Sequence, residues 1–149
     1  MLFKKKLITL LSLLLTGGAL FAGAPREVDI CVYGGTSAGV IAAYTAKQLH
    51  KTVLLISPDK HLGGLTSGGL GYTDIGNKYA ITGISRDFYR RVGAHYGKLE
   101  QWIFEPHVAE DIFRHYIQAG NVEVLYEYQV ASAKKEHGNI TEITLSGPD

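Results

Sequence analysis

The chain has 149 residues, with 15 Lys+Arg against 14 Asp+Glu and a formal net charge of +1; that is enough for one domain and one core, but short for a two-domain enzyme. Three of those lysines and none of the acids fall in residues 1–24, so the remainder carries 12 basic against 14 acidic residues, about −2. This excludes a nucleic-acid binder with a basic footprint, and the single cysteine, Cys31, excludes an internal disulfide.

Lys4, Lys5 and Lys6 precede an apolar run over residues 7–15, and small residues follow at Ala22, Gly23 and Ala24. This is the layout of a secretory signal peptide cut after Ala22 or Ala24. The run is too short, and lacks the far-side flank, for a membrane span. The expected division is a signal peptide over 1–24 and a mature, exported chain over 25–149, destined for the periplasm or the extracellular space.

Val28, Ile30 and Val32, with Cys31 and Tyr33, form a short and mostly apolar run. A strand buried on both faces is expected, with Cys31 as a small buried apolar residue. Gly34 and Gly35 stop it, and the Ala-rich residues 38–49 read as a helix. A helix that begins just past a glycine turn aims free N–H groups and the positive end of its dipole above the strand, which makes a phosphate cradle. In the G-x-G-x-x-G pattern, Gly34 and Gly39 fill the outer places and Thr36 the middle one, with a hydroxyl that can donate to a phosphate oxygen. The pattern gains weight from its context, since a second strand over 52–56 lies at the spacing of a βαβ unit. An ordinary strand-turn-helix is the competing reading.

At the end of that second strand, where an acidic residue usually receives the ribose hydroxyls, stands Ser57, followed by Pro58 and Asp59. Residues 61–74 then interleave five glycines with Leu62, Leu65, Leu70, Thr66 and Ser67. Such a loop can lie flat against a ligand, with Thr66 and Ser67 as donors, and its leucines argue against a bland linker. His61 and Asp74 are the nearest candidates for a general base, though each reads first as a loop hydrogen-bonding residue, and no catalytic residue is assigned.

Ile84, Phe88, Val92 and Tyr96 recur every four residues, predicting an amphipathic helix with Thr82 as N-cap and Arg86, Arg90 and Arg91 on a solvated face. Val108, Ile112, Tyr116 and Ala119 mark another, started at Pro106 and His107 and ended by Gly120 and Asn121. His107, Asp111 and His115 follow at i+4 steps on its polar side; two turns spread them too far for one ion, so no metal site is assigned. Residues 122–126 read as a third strand, and residues 128–135 and 140–145 as a hairpin turning at Gly138 and Asn139.

The Gly-Gly-Thr-Ser-Ala-Gly turn, the His-Leu-Gly-Gly-Leu-Thr-Ser-Gly-Gly-Leu-Gly-Tyr-Thr-Asp loop, Arg-Asp-Phe-Tyr-Arg-Arg at 86–91 and Phe-Glu-Pro-His at 104–107 together resemble the bacterial FAD-dependent oxidoreductase family with a glutathione-reductase-like FAD domain. Some secreted members of that family carry the label xanthan lyase. The resemblance runs from residue 28 to residue 145. It implies that Gly34, Gly35, Thr36, Ser37, Ala38 and Gly39 hold the FAD pyrophosphate. Ser57 and Pro58 would meet the adenosine ribose, and Gly63, Gly64, Leu65, Thr66 and Ser67 the phosphates and flavin side. The backbone at Val130 would meet the adenine. Family members commonly have Glu where this chain has Ser57, and they continue beyond its end into a strand that completes the FAD pocket and a substrate domain.

The expected fold is therefore α/β, a Rossmann-like FAD/NAD(P)-binding domain with a parallel sheet and the start of a β-meander, truncated before its C-terminal part. The expected function is the FAD-binding segment of an exported flavin-dependent oxidoreductase acting on a small molecule. Two alternatives remain: an NAD(P)-dependent dehydrogenase domain, and an inactive truncated product. No residue set for β-elimination supports the lyase label.

Overall fold

The computed structural model describes residues 25–148, so the expected signal peptide and its cleavage site lie outside the described residues. Strand β1 (Ile30–Tyr33), helix α1 (Ser37–Gln48) and strand β2 (Val53–Ser57) make the first unit. A glycine-rich segment containing a 3-10 turn (Gly64–Thr66) follows, then α2 (Gly83–His95), α3 (Pro106–Ala119) and β3 (Glu123–Tyr126). The strands form one parallel sheet in the order β1-β2-β3, with Val32 opposite Leu55 and Ile56 opposite Leu125. This is the Rossmann-like α/β arrangement expected from the sequence. Strands β4 (Gln129–Glu136) and β5 (Asn139–Ser146) pair antiparallel as a separate hairpin. Its turn falls one residue earlier than expected, at His137 and Gly138, because both adopt positive φ (50° and 90°), as a two-residue hairpin turn of type I′ requires.

β2 is the central strand, and all five of its residues are buried. Val53 and Leu55 pack with Val40, Ala43 and Ala46 of α1, and with Phe113, Tyr116 and Ile117 of α3, in one apolar cluster. Small residues on α1 let the helix lie close to the sheet. Phe88 of α2 stacks on Phe113 with ring centroids 5.0 Å apart and meets Phe104 edge-on at 5.7 Å. Each such ring contributes on the order of 2 kcal/mol or more by leaving water.

The first strand departs from expectation. Ile30 is 38% and Tyr33 52% exposed, and Cys31 is exposed rather than a buried apolar residue. The reason is position: among the described residues β1 pairs with β2 alone and forms one edge of the sheet. Thr82 takes the N-cap position of α2 but makes no side-chain capping bond. On α3 the buried stripe runs through Val108, Ala109, Phe113, Tyr116 and Ile117, leaving Ala119 exposed.

Candidate functional site

Thr36, standing where the fingerprint usually has its middle glycine, is the N-cap of α1. Its φ of −69° demands no glycine, and its hydroxyl oxygen accepts the Gly39 N–H at 3.2 Å. Capping satisfies one of the orphan donors of the first turn and leaves others without a partner inside the helix. No acidic residue lies in that turn to cancel the positive end of the dipole. Gly39 is required by close approach, since a Cβ there would stand 1.9 Å from the Gly34 carbonyl oxygen. Gly34, at φ +116°, has nothing within 4 Å of where a Cβ would be. The mouth of the turn is open at that point.

The glycine-rich segment is tied to this turn. Gly63 N donates to Gly35 O at 2.7 Å, and Thr36 and Gly63 form an isolated parallel bridge. Gly63, at φ +107°, presses on α3, where a Cβ would come 2.5 Å from the Phe113 ring. Leu62 is fully buried beside it. Ser67 turns inward, its hydroxyl donating to the carbonyl oxygens of Leu62 and, at 3.4 Å, Gly64, so it closes the 3-10 turn instead of offering an outward donor. Further along, Phe104 N donates to Gly71 O at 3.0 Å and Thr73 N to Trp102 O at 3.2 Å. The segment is anchored at both ends, unlike a linker, and between the anchors Leu65, Leu70 and Tyr72 are exposed.

The other expected site residues are placed as follows. Ser57 is fully buried, its hydroxyl accepting the Asp59 N–H at 3.3 Å, so it does not bring that hydroxyl to the surface. Pro58 is half-buried. Val130 lies exposed on β4, opposite Leu145, and the approach to β4 is held at the end of β2 by Tyr128 N donating to Ser57 O at 3.1 Å.

His61 Nδ1 lies 2.9 Å from Glu110 Oε2, and Arg114 reaches the same carboxylate at 2.6 Å. Burial alone would raise the Glu110 carboxyl, but the hydrogen bonds from His61 and Arg114 outweigh it and hold the group below its ordinary value. This clamp at the head of the glycine-rich segment was not legible in the sequence, since its partners are 49 residues apart. Asp74 is exposed. Arg86 and Arg90 pair with Glu100 at 2.7 and 3.5 Å, and Arg91 with Asp87 at 2.6 Å, so the α2 arginines are engaged rather than merely solvated. His107, Asp111 and His115 stay on the exposed side of α3, and no group of three metal-binding side chains converges among the described residues. A shallow cavity of about 220 Å³ between α2 and α3 is lined by Arg91, His95, Asp111 and His115, residues of neither the α1 turn nor the glycine-rich segment. No described helix is long and apolar enough to cross a membrane.

The family model described as FAD dependent oxidoreductase matches residues 29–148. Comparison with curated proteins finds no match. Among solved structures, THI4 from Thermovibrio ammonificans is similar at a TM-score of 0.55 and 15% identity, over 81% of this chain and 48% of that one. The bacillithiol disulfide reductase Bdr of Staphylococcus aureus gives 0.53 and 18%, over 82% and 35%. The 3-ketosteroid-delta4-(5alpha)-dehydrogenase of Rhodococcus jostii RHA1 gives 0.56 and 12%, over 87% and 44%. At these identities the likeness is one of fold. The chain spans less than half the length of each of these three proteins.

Proposed function

The chain belongs to the FAD dependent oxidoreductase family, with FAD as its cofactor, and from that premise we propose that residues 25–149 are the FAD-binding segment of an exported oxidoreductase acting on a small molecule. The FAD diphosphate rests over the first turn of α1, within reach of the backbone of Gly34, Gly35, Thr36, Ser37, Ala38 and Gly39. The Thr36 hydroxyl, accepting from Gly39, keeps its own hydrogen free for a phosphate oxygen. Gly63, Gly64, Leu65 and Thr66 cover the phosphates and flavin side, with Ser67 locking their turn. The adenosine lies toward the end of β2, with Pro58 beside the ribose and the Val130 backbone near the adenine.

One observation carries this reading: the Gly63 N to Gly35 O bond sets the two glycine segments side by side, so a single extended ligand can touch both. A nicotinamide domain with regular strand-helix alternation has no use for such an insertion after β2. When bound, FAD supplies the hydride and electron chemistry; the chain binds it, orients it and excludes water. Export rests on the composition of residues 1–24, and the lyase label is not carried over.

Purifying the full-length protein and reconstituting it with FAD tests the proposal. Retention of a flavin absorption band through gel filtration is expected. A protein that emerges colourless and shows no flavin fluorescence quenching on titration rules the reading out, and tight binding of nicotinamide cofactor without FAD would favour the dehydrogenase instead.

A further inference from the structure

Residues 61–63 are held from one side of α3. Glu110, Phe113 and Arg114 stand at i, i+3 and i+4, so they share a face of that helix. Both oxygens of Glu110 are engaged: Oε1 accepts from Arg114 Nη2 at 2.6 Å, and Oε2 lies 2.9 Å from His61 Nδ1. Glu110 is held below its ordinary value and is a carboxylate with no hydrogen to give, so Nδ1 of His61 carries the proton. Two positions on, a Cβ at Gly63 would come 2.5 Å from the Phe113 ring, and Leu62 between them is fully buried.

These contacts differ in kind. Phe113 limits how closely Gly63 can approach but gives no direction, whereas the hydrogen bond to Glu110 is directional and fixes how the chain enters the segment. The Glu110 side chain is 14% exposed and that of His61 74%, so an imidazole on the surface reaches down to a carboxylate set in the helix face. Immediately beyond, Gly63 N donates to Gly35 O at 2.7 Å, and a Cβ at Gly64 would stand 3.3 Å from Thr36 Cγ2. Two residues therefore separate the grip of α3 from the junction with the α1 turn.

We propose that His61 and Glu110 are positioning residues for the cofactor: through this pair α3 keeps the glycine-rich segment closed on the α1 turn and on the dinucleotide bound there. The inference rests on the FAD reading above. Glycines leave a free segment many conformations, and ordering them on binding would cost affinity. A segment pinned beforehand spares the ligand that cost. FAD should gain more from this than ADP, because the segment covers the flavin side, which ADP lacks.

The test is titration of the full-length protein and its His61→Ala, His61→Asn and Glu110→Ala variants with FAD, by flavin fluorescence, and with ADP, by calorimetry. His61→Ala and Glu110→Ala should each lower the ratio of FAD to ADP affinity by about fivefold, the worth of one hydrogen bond. The thermal midpoint of the cofactor-free His61→Ala protein should stay close to wild type, because the side chain is exposed. Adding His61→Ala to Glu110→Ala should cost nothing further, since the bond is already gone. His61→Asn sets an amide N–H where Nδ1–H stands and should return most of the ratio, which a general loosening of the chain would not explain. An unchanged ratio in both alanine variants, or equal losses for FAD and ADP, would overturn the inference while the FAD assignment stands. If the wild-type protein binds neither FAD nor ADP, the FAD assignment falls and this inference with it.

Discussion

The Tyr116 hydroxyl of α3 donates to Asp87 Oδ2 of α2 at 2.6 Å, and Arg91 Nε reaches the same oxygen at 2.6 Å with its guanidinium 4.9 Å from the centre of the Tyr116 ring. Two helices that also share the Phe88 and Phe113 stack are thus locked in register. Burial first, and then the hydrogen bond to Asp87, push the Tyr116 phenol well above its ordinary value, so it remains a donor across the usable pH range. Tyr116→Phe keeps the ring and removes the donor. A loss of about 1–3 kcal/mol is expected, read as a lower urea midpoint at constant slope; an unmoved midpoint would show that the clasp adds nothing.

Acid should loosen the same clasp. Burial alone would raise Asp87, but the hydrogen bonds from Tyr116 and Arg91 outweigh it and hold the carboxyl below its ordinary 3.8. Glu110 is likewise held below 4.5. For groups lowered in the folded state, the unfolded chain takes up protons first as pH falls, so their contribution is complete above the ordinary values and lost on going through and below them. The melting temperature should hold from pH 7 to about pH 5 and drop below about pH 4.5. Asp87→Asn should flatten the drop, and an equal drop in that variant would place its source elsewhere.

At the cradle, Thr36→Val removes the cap at nearly constant volume. It should cost about 1 kcal/mol of stability and weaken FAD, whereas Thr36→Ser keeps both the capping oxygen and the donor. Chemical denaturation and flavin fluorescence titration of the pair separate the hydroxyl from the methyl group.

Gly39→Ala forces a methyl onto the Gly34 carbonyl oxygen. Prying α1 from β1 should cost about 3 kcal/mol or more and abolish FAD retention. Gly76→Ala, where a Cβ meets nothing within 4 Å, serves as the control and should stay within about 0.5 kcal/mol of wild type.

The glycines at 34 and 39, the β-branched and Leu-rich run of β2 and the four-residue recurrence in α2 and α3 made the architecture readable, because each is a local rule. What escaped depends on partners distant in sequence. Ile30 and Cys31 look like core residues in composition, yet they are exposed because β1 lies at the sheet edge. Ser67 reads as a ligand donor until the fold of residues 62–67 turns its hydroxyl onto Leu62. The inward packing of Ser57 follows from the approach of Gly35, 22 positions away, and the grip of His61 on Glu110 needs α3 in place.

Among the described residues the outer rim of β1 has no strand partner beside Ile30 and Tyr33, and the strand holds no lysine or proline to discourage a visitor. In a concentrated solution of residues 25–148 alone, that rim is an invitation to neighbouring molecules. Light scattering should then grow steeply with protein concentration, and a charge placed at Ile30 should suppress it while leaving the α1 turn intact.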